Sequence, residues 1–166
     1  MSKVLYTGSF DPITKGHMNI IKQASDLFDE VIIAVLQNSN KKESLFTLEE
    51  RLEIIKELYL KHNNVKVVTS RGAAVDIAKK YGCKAIVRGL RSASDYDYEA
   101  GLNQINKDIS SNEINTVCLF ADKDYQYISS TIVKELFSLE KDISNYVDPL
   151  VAKKLYLKKG MNIYGK

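Results

Sequence analysis

The sequence is poor in the residues that staple, break or tether a chain. Its two cysteines, Cys83 and Cys118, lie far apart, form no Cys-x-x-Cys and have no histidine close by. That pattern argues against a disulfide scaffold or a zinc site and suits a reducing cytoplasm. Cys118 sits in the apolar run Thr116-Val117-Cys118-Leu119-Phe120, so it is expected to be a buried strand thiol. Two prolines and eight glycines occur without clustering, so no linker is expected and residues 1–166 are expected to form a single domain. No apolar run is long enough to span a bilayer, and Met1 to Tyr6 runs straight into a strand pattern, so neither a membrane segment nor a signal peptide is expected. The net charge of +3 is too mild to argue for nucleic acid. Lys153, Lys154, Lys158 and Lys159 read as the solvated side of a last helix. With two histidines, far apart, no metal-ligand spacing is found and no protein metal site is expected.

What is present is a regular alternation of short apolar runs and helical patterns. Strands are expected over residues 3–7, 30–37, 65–69, 84–88 and 116–120. The run Glu30 to Gln37 is almost continuously apolar, as in a strand buried on both faces. Helices are expected over 16–28, 47–60, 73–81, 95–108, from 130 to about 137, and 151–157. Thr47-Leu48-Glu49-Glu50 is a capping box, Gly82 is a helix stop, and Asp148-Pro149 is an N-cap followed by proline at the first helical position. Five strands separated by helices predict a Rossmann-like, doubly wound α/β fold, a five-stranded parallel sheet with helices on both faces.

In such sheets ligands bind beyond the carboxyl ends of the strands. The first strand is followed by Thr7-Gly8-Ser9-Phe10-Asp11-Pro12 and then Thr14-Lys15-Gly16-His17. Lys41 and Lys42 follow the second, Ser70-Arg71-Gly72 the third, Arg88-Gly89-Leu90-Arg91 the fourth, and Asp122 to Thr131 the fifth. Cations, hydroxyls and glycines at every one of these ends describe a site for a polyanion. Each piece also has an ordinary structural role: Gly8 and Gly16 as turn residues, Ser129-Ser130-Thr131 as an N-cap, Arg88 and Arg91 as surface cations, His17 as a capped or core histidine, and His62 in a polar turn. Neither GxxxxGK[ST], GxGxxG nor GxSxG occurs. The scarcity of acid–base groups fits a reaction whose nucleophile is already ionised, where catalysis is positioning and neutralisation of charge on phosphorus.

Gly8-Ser9-Phe10-Asp11-Pro12 with Thr14-Lys15-Gly16-His17 resembles the (H/T)xGH signature of the nucleotidyltransferase superfamily, and Ile128-Ser129-Ser130-Thr131 resembles its second signature. Lys41-Lys42 with Phe46 to Arg51, and Arg88 to Arg91 with Asp95-Tyr96-Asp97-Tyr98-Glu99, resemble phosphopantetheine adenylyltransferases in particular. The resemblance runs from about Val4 to about Asp148. It implies transfer of the adenylyl group of ATP to 4′-phosphopantetheine, giving dephospho-coenzyme A and pyrophosphate, with Mg²⁺ carried on the phosphates of ATP. It implies that His17, with Arg91 and Lys41, stabilises the reacting phosphate. Ser9 would meet both substrates, and Lys41, Ala74 and Arg88 would line the acceptor. Phe10, Gly89, Leu90, Arg91, Glu99 and the stretch Tyr125, Gln126, Tyr127, Ile128, Ser129, Ser130, Thr131 would meet the nucleotide. It further implies a cytoplasmic homohexamer open to feedback by coenzyme A.

The sequence departs from that family's pattern at Thr7, where proline is usual, and at Ala73-Ala74, where two larger apolar residues are usual. The alanines predict a roomier acceptor pocket. Two other readings stay open here: the same fold acting on a different phosphorylated acceptor, such as nicotinamide mononucleotide or glycerol 3-phosphate, and a nucleotide sensor without turnover.

Overall fold

The computed structural model describes residues 1–37 and 44–160. Lys41 and Lys42 lie outside the described residues. Strands β1 (Lys3–Gly8), β2 (Glu30–Leu36), β3 (Val65–Ser70), β4 (Ala85–Leu90) and β5 (Asn115–Phe120) form one sheet in the order β3-β2-β1-β4-β5, with every neighbouring pair parallel. Helices α1 (Lys15–Leu27), α2 (Leu48–Leu58), α3 (Ala74–Tyr81), α4 (Ala93–Ser110), α5 (Ser130–Ser138) and α6 (Pro149–Lys158) cover it.

Period-two alternation divides the sheet between two cores. Val31, Ile33 and Val35 of β2 join Ile21 of α1, Ile55 of α2, Val133 of α5 and Val151 of α6 in one cluster. Ile32 and Ala34 join Val75, Ile77 and Ala78 of α3 in the other. A strand apolar at every position therefore feeds both faces, the doubly wound pattern expected from the sequence.

Local chemistry sets the helix ends. Thr47 and Glu50 form the reciprocal capping box at α2, Gly82 closes α3 at φ 69°, and Asp148 accepts the Leu150 N–H before Pro149 opens α6. Helix α4 begins earlier than expected because the Ser92 side chain accepts the Asp95 N–H and makes the preceding turn helical.

One expectation is overturned: Cys118 is exposed, not buried. Its run is apolar, but β5 is the edge of the sheet, and Cys118 and Phe120 share its exposed positions. Cys83 is the buried thiol, and burial pushes its pKa up to about 11, which keeps it protonated.

The strand order reverses between β1 and β4. There the pairing stops at Tyr6 and Val87, whereas β1 stays paired with β2 to Gly8 and β4 with β5 to Leu90. The two central strands part at their carboxyl ends and leave a crevice at the topological switch point.

Candidate active site

A cleft of about 440 Å³ fills that crevice. β1 and the turn after it contribute Tyr6, Thr7, Gly8 and Ser9, and the first turns of α1 contribute Gly16, His17 and Ile20. Arg88, Gly89 and Arg91 come from the end of β4, Asp95, Tyr98 and Glu99 from α4, and Ala121, Ile128, Ser129 and Ser130 from the segment joining β5 to α5.

The turn after β1 is held from beneath. Phe10 is buried at φ 49°, and its ring lies edge-on to Tyr6 at 5.5 Å and to His17 at 5.2 Å. A Cβ on Gly8 would sit 2.9 Å from that ring, so glycine is what lets the ring tuck under the strand end. Phe10 thus supports the cleft floor rather than lining it. Asp11, 1 % exposed, accepts the N–H groups of Leu45 at 3.1 Å and Phe46 at 2.9 Å and pairs with Lys134 of α5 at 3.0 Å. Buried Arg51 donates to the carbonyls of Ser9 and Leu36 and joins the ends of β1 and β2.

His17 is the third residue of α1 and takes the place a glutamate would hold in a capping box. Its Nδ1 accepts the Thr14 N–H at 3.1 Å and lies 3.0 Å from the Thr14 hydroxyl, while the His17 N–H donates to Thr14 Oγ1. With Nδ1 accepting, the neutral ring carries its proton on Nε2. Burial, and then the charge of Arg91, lowers its pKa to about 4, so the ring is neutral at pH 7 in the free protein. Gly16 has a separate task. A Cβ there would stand 3.0 Å from the Ile128 carbonyl oxygen, so only glycine lets α1 approach the Ile128–Ser129 turn so closely.

The two arginines are held by α4. Arg88 grips Glu99 with two prongs, Nε to Oε2 and Nη2 to Oε1, both at 2.7 Å. Glu99 is buried, while Arg88 stays partly exposed to the cleft. The pair draws the Arg88 pKa upward against the effect of burial, so its charge is permanent. Arg91 Nε lies 3.3 Å from Asp95 Oδ2, which also accepts the Arg91 N–H at 2.9 Å. Among the described residues, the two cleft carboxylates, Asp95 and Glu99, are therefore each held by an arginine.

Of the residues expected from sequence, Ser9, His17, Arg88, Gly89, Arg91, Glu99, Ile128, Ser129 and Ser130 come together in this cleft. Ser129 is the N-cap of α5, accepting the Ile132 N–H, and Ser130 donates to the Pro12 carbonyl at 2.8 Å. Leu90 and Gln126 instead line a neighbouring depression with Tyr96 and Phe120. Tyr125 lies in a 3₁₀ turn, Tyr127 meets Tyr146 edge-on, and Thr131 is exposed on α5, all three outside the cleft lining. Ala74 sits in the first turn of α3, packed against the second core, also outside the lining.

The sequence did not mark Tyr6, Ile20 and Ala121, which line the cleft, or Asn19, which lies behind it. Ile20 faces Gly89, where an added Cβ would come within 2.9 Å of it. Asn19 is 8 % exposed and bonds Asp122, 103 residues further along the chain. The only signal was a polar residue inside the apolar stripe of α1. Among the described residues, no three of His, Cys, Asp and Glu group so as to hold a metal ion, and no helix is long and apolar enough to cross a membrane.

Comparison with known proteins adds three findings. Residues 5–136 match the family model described as cytidylyltransferase-like. The chain is 43 % identical over its whole length to the phosphopantetheine adenylyltransferase of Heliobacterium modesticaldum, covering 98 % of that protein. In fold it is similar to a Vibrio parahaemolyticus protein solved under the name nicotinate-nucleotide adenylyltransferase, with a TM-score of 0.68 at 20 % identity, covering 100 % of this chain and 97 % of that one.

Proposed function

This chain belongs to the cytidylyltransferase-like family and, within it, to the phosphopantetheine adenylyltransferases, and we propose that the β1–β4 cleft is where it carries out their reaction. The enzyme transfers the adenylyl group of ATP to 4′-phosphopantetheine in coenzyme A biosynthesis. An oxygen of the acceptor's phosphate forms a bond to the α-phosphorus of ATP. The bond from that phosphorus to the α,β-bridging oxygen breaks, and its electron pair leaves with pyrophosphate.

One observation carries the assignment of the cleft: a neutral, tautomer-fixed His17 faces the same space as Arg88, Arg91 and the Ser129–Ser130 helix start, and both carboxylates there are already paired. Among the described residues no group is set up as a base, and none is needed, because the attacking phosphate is already an anion. Nε2–H of His17 donates to an oxygen of the α-phosphate as charge builds on it, and Arg91 adds a second positive contact. Approaching phosphates favour the imidazolium and strengthen that donor. Arg88, held rigid by Glu99, and Ser9 take the acceptor's phosphate, and Lys41, which lies outside the described residues, is assigned to the same phosphate. The N–H groups at the start of α5 hold the β,γ-phosphates. Of the stretch from Tyr125 to Tyr127, Gln126 is the residue assigned to the adenine side, since it lines a depression that shares Arg91 with the cleft.

A Mg²⁺ carried on the triphosphate fits this donor set: with Asp95 and Glu99 occupied by arginines, the ion would be held through the phosphates themselves, which Ser129, Ser130 and Arg91 would bind. It would supply neutralisation of charge on the leaving pyrophosphate.

The chain acts as one catalytic domain in the cytoplasm and assembles as a homohexamer. The exposed Ile105 and Ile109 of α4 and Phe120 of β5 support assembly, being apolar area that subunit contacts would cover. Coenzyme A, which contains both the acceptor arm and an adenylyl group, would compete for the same cleft.

The test is incubation with ATP, Mg²⁺ and 4′-phosphopantetheine beside a panel of other phosphorylated acceptors, following pyrophosphate and product mass together. Dephospho-coenzyme A from the pantetheine acceptor alone is the expected result. His17→Ala should then lower kcat by about two to three powers of ten while ATP still binds. Pyrophosphate from a different acceptor alone would overturn the substrate assignment, and unchanged turnover in His17→Ala would overturn the role of the cleft.

A further inference from the structure

Three residues along one edge of α1, Gly16, Asn19 and Gln23, stand at helical spacing and fasten the helix to the segment between β5 and α5. Gly16 lies under the Ile128 carbonyl. Asn19 exchanges two hydrogen bonds with Asp122: its Nδ2 donates to Asp122 Oδ2 at 2.5 Å, and its Oδ1 accepts the Asp122 N–H at 3.0 Å. Gln23 Nε2 donates to Asn19 Oδ1 at 3.1 Å and to the Phe120 carbonyl at 2.9 Å. The amide of Asn19 is thereby fixed in one orientation, with both oxygen lone pairs and one N–H engaged. Asp122 stands beside Ala121, a cleft residue, and opens the 3₁₀ turn Lys123–Tyr125 that leads to Ile128, Ser129 and Ser130, which line the cleft together with His17.

We propose that Asn19 and Asp122 are a positioning pair that sets the nucleotide-side wall of the cleft at its working distance from His17. The inference rests on the reading that this wall holds ATP. Neither side chain lines the cleft, so the pair acts through the backbone it anchors. Without it, the connection from Phe120 to Ser129 keeps its hold on α1 at the Gly16–Ile128 and Gln23–Phe120 contacts but loses the two bonds between them. The acceptor side, built from Ser9, Arg88 and α4, is fastened independently by Arg51 and Glu99.

Substitutions that keep or break the geometry separate positioning from bulk stability. Asp122→Asn retains a donor–acceptor match, because Asn19 Nδ2 then donates to the new amide oxygen. Asn19→Asp sets two carboxylates against each other where an amide met a carboxylate. The double variant Asn19→Asp/Asp122→Asn restores the side-chain bond with its direction reversed, the amide of residue 122 donating to the carboxylate of residue 19, while the backbone N–H of residue 122 goes on donating to residue 19. Titration with ATP and Mg²⁺, beside kinetics and melting temperature, reads the outcome. We expect Asn19→Asp to weaken ATP binding about tenfold and leave the acceptor KM within about twofold, with Asp122→Asn near wild type and the double variant restored to within about threefold. Asp122→Ala, at an exposed position, should weaken ATP in the same sense and serves if Asn19→Asp does not fold. Equal losses for both substrates, a double variant no better than Asn19→Asp, or wild-type protein that does not bind ATP would overturn the proposal. Failure of the pantetheine acceptor assay alone would not, because ATP binding is read separately.

Discussion

Arg88 and Glu99 form a two-pronged ion pair between the end of β4 and the middle of α4, with a nearly buried carboxylate and a guanidinium that still reaches the cleft. The pair fixes the direction of the arginine, and planar, bidentate contact is what makes arginine suited to that role. Glu99→Gln keeps a hydrogen bond but removes the charge. It should lower kcat/KM for the acceptor about tenfold, a loss of about 1.4 kcal/mol in transition-state binding. Glu99→Ala should also reduce folding stability by about 2 kcal/mol, since Arg88 is left partly buried without its anion. Steady-state kinetics and denaturant unfolding check both. An unchanged acceptor KM in Glu99→Gln would mean that Arg88 does not hold the acceptor.

Gly16→Ala tests the close approach of α1 to the Ile128 turn. The added methyl would meet a backbone oxygen at 3.0 Å, and that oxygen cannot retreat without moving Ser129 and Ser130. A cost of about 1 kcal/mol in stability and a raised ATP KM are expected. Gly101→Ala is the control. It lies inside α4 with nothing within 4 Å of the new methyl, and it should stabilise the protein by about 0.5–1 kcal/mol. Thermal melts of the two variants should therefore move in opposite directions.

His17 makes stability depend on pH with a definite sign. Its folded pKa of about 4 lies below the ordinary 6.5, so between those values the unfolded chain binds more protons. The neutral-histidine contribution is complete above about pH 6.5 and is lost as pH falls through about 4. Wild type should lose on the order of 2 kcal/mol more than His17→Gln between pH 7 and pH 4. Melting temperatures across that range measure it. A direct check is the imidazole titration by NMR, which should also show a higher pKa when ATP is bound. Parallel pH profiles for the two proteins would show that the ring is not held neutral by the fold.

Ala73 and Ala74 stand at the start of α3, the first exposed and the second half-buried against the α3-side core. Replacing both with leucine should lower the acceptor's KM if the pantetheine arm passes over them, because each methylene it covers contributes on the order of 1 kcal/mol. A KM that is unchanged or higher would place the arm elsewhere.

Features that depend on neighbours along the chain were legible in the sequence. The unbroken apolar run of β2, the Thr47–Glu50 capping box, Gly82 in its left-handed turn and Pro149 at a helix start all predicted elements within a few residues of where they lie. The parallel sheet followed from their alternation, and the polyanion-binding character of the strand ends followed from residue types alone. Sequence did not reveal that β5 is an edge, because an apolar run looks the same at the edge and in the middle of a sheet. For that reason Cys118 was expected inside and is found outside. Nor did it join Arg88 to Glu99, Asp11 to Lys134, or Asn19 to Asp122, which is 103 residues away. Those partners are chosen by strand order and by how α1, α4 and α5 lie against the sheet. Hydrophobic periodicity records which face of an element is buried; only packing decides which other element covers it, and therefore which polar groups meet at the crevice between β1 and β4.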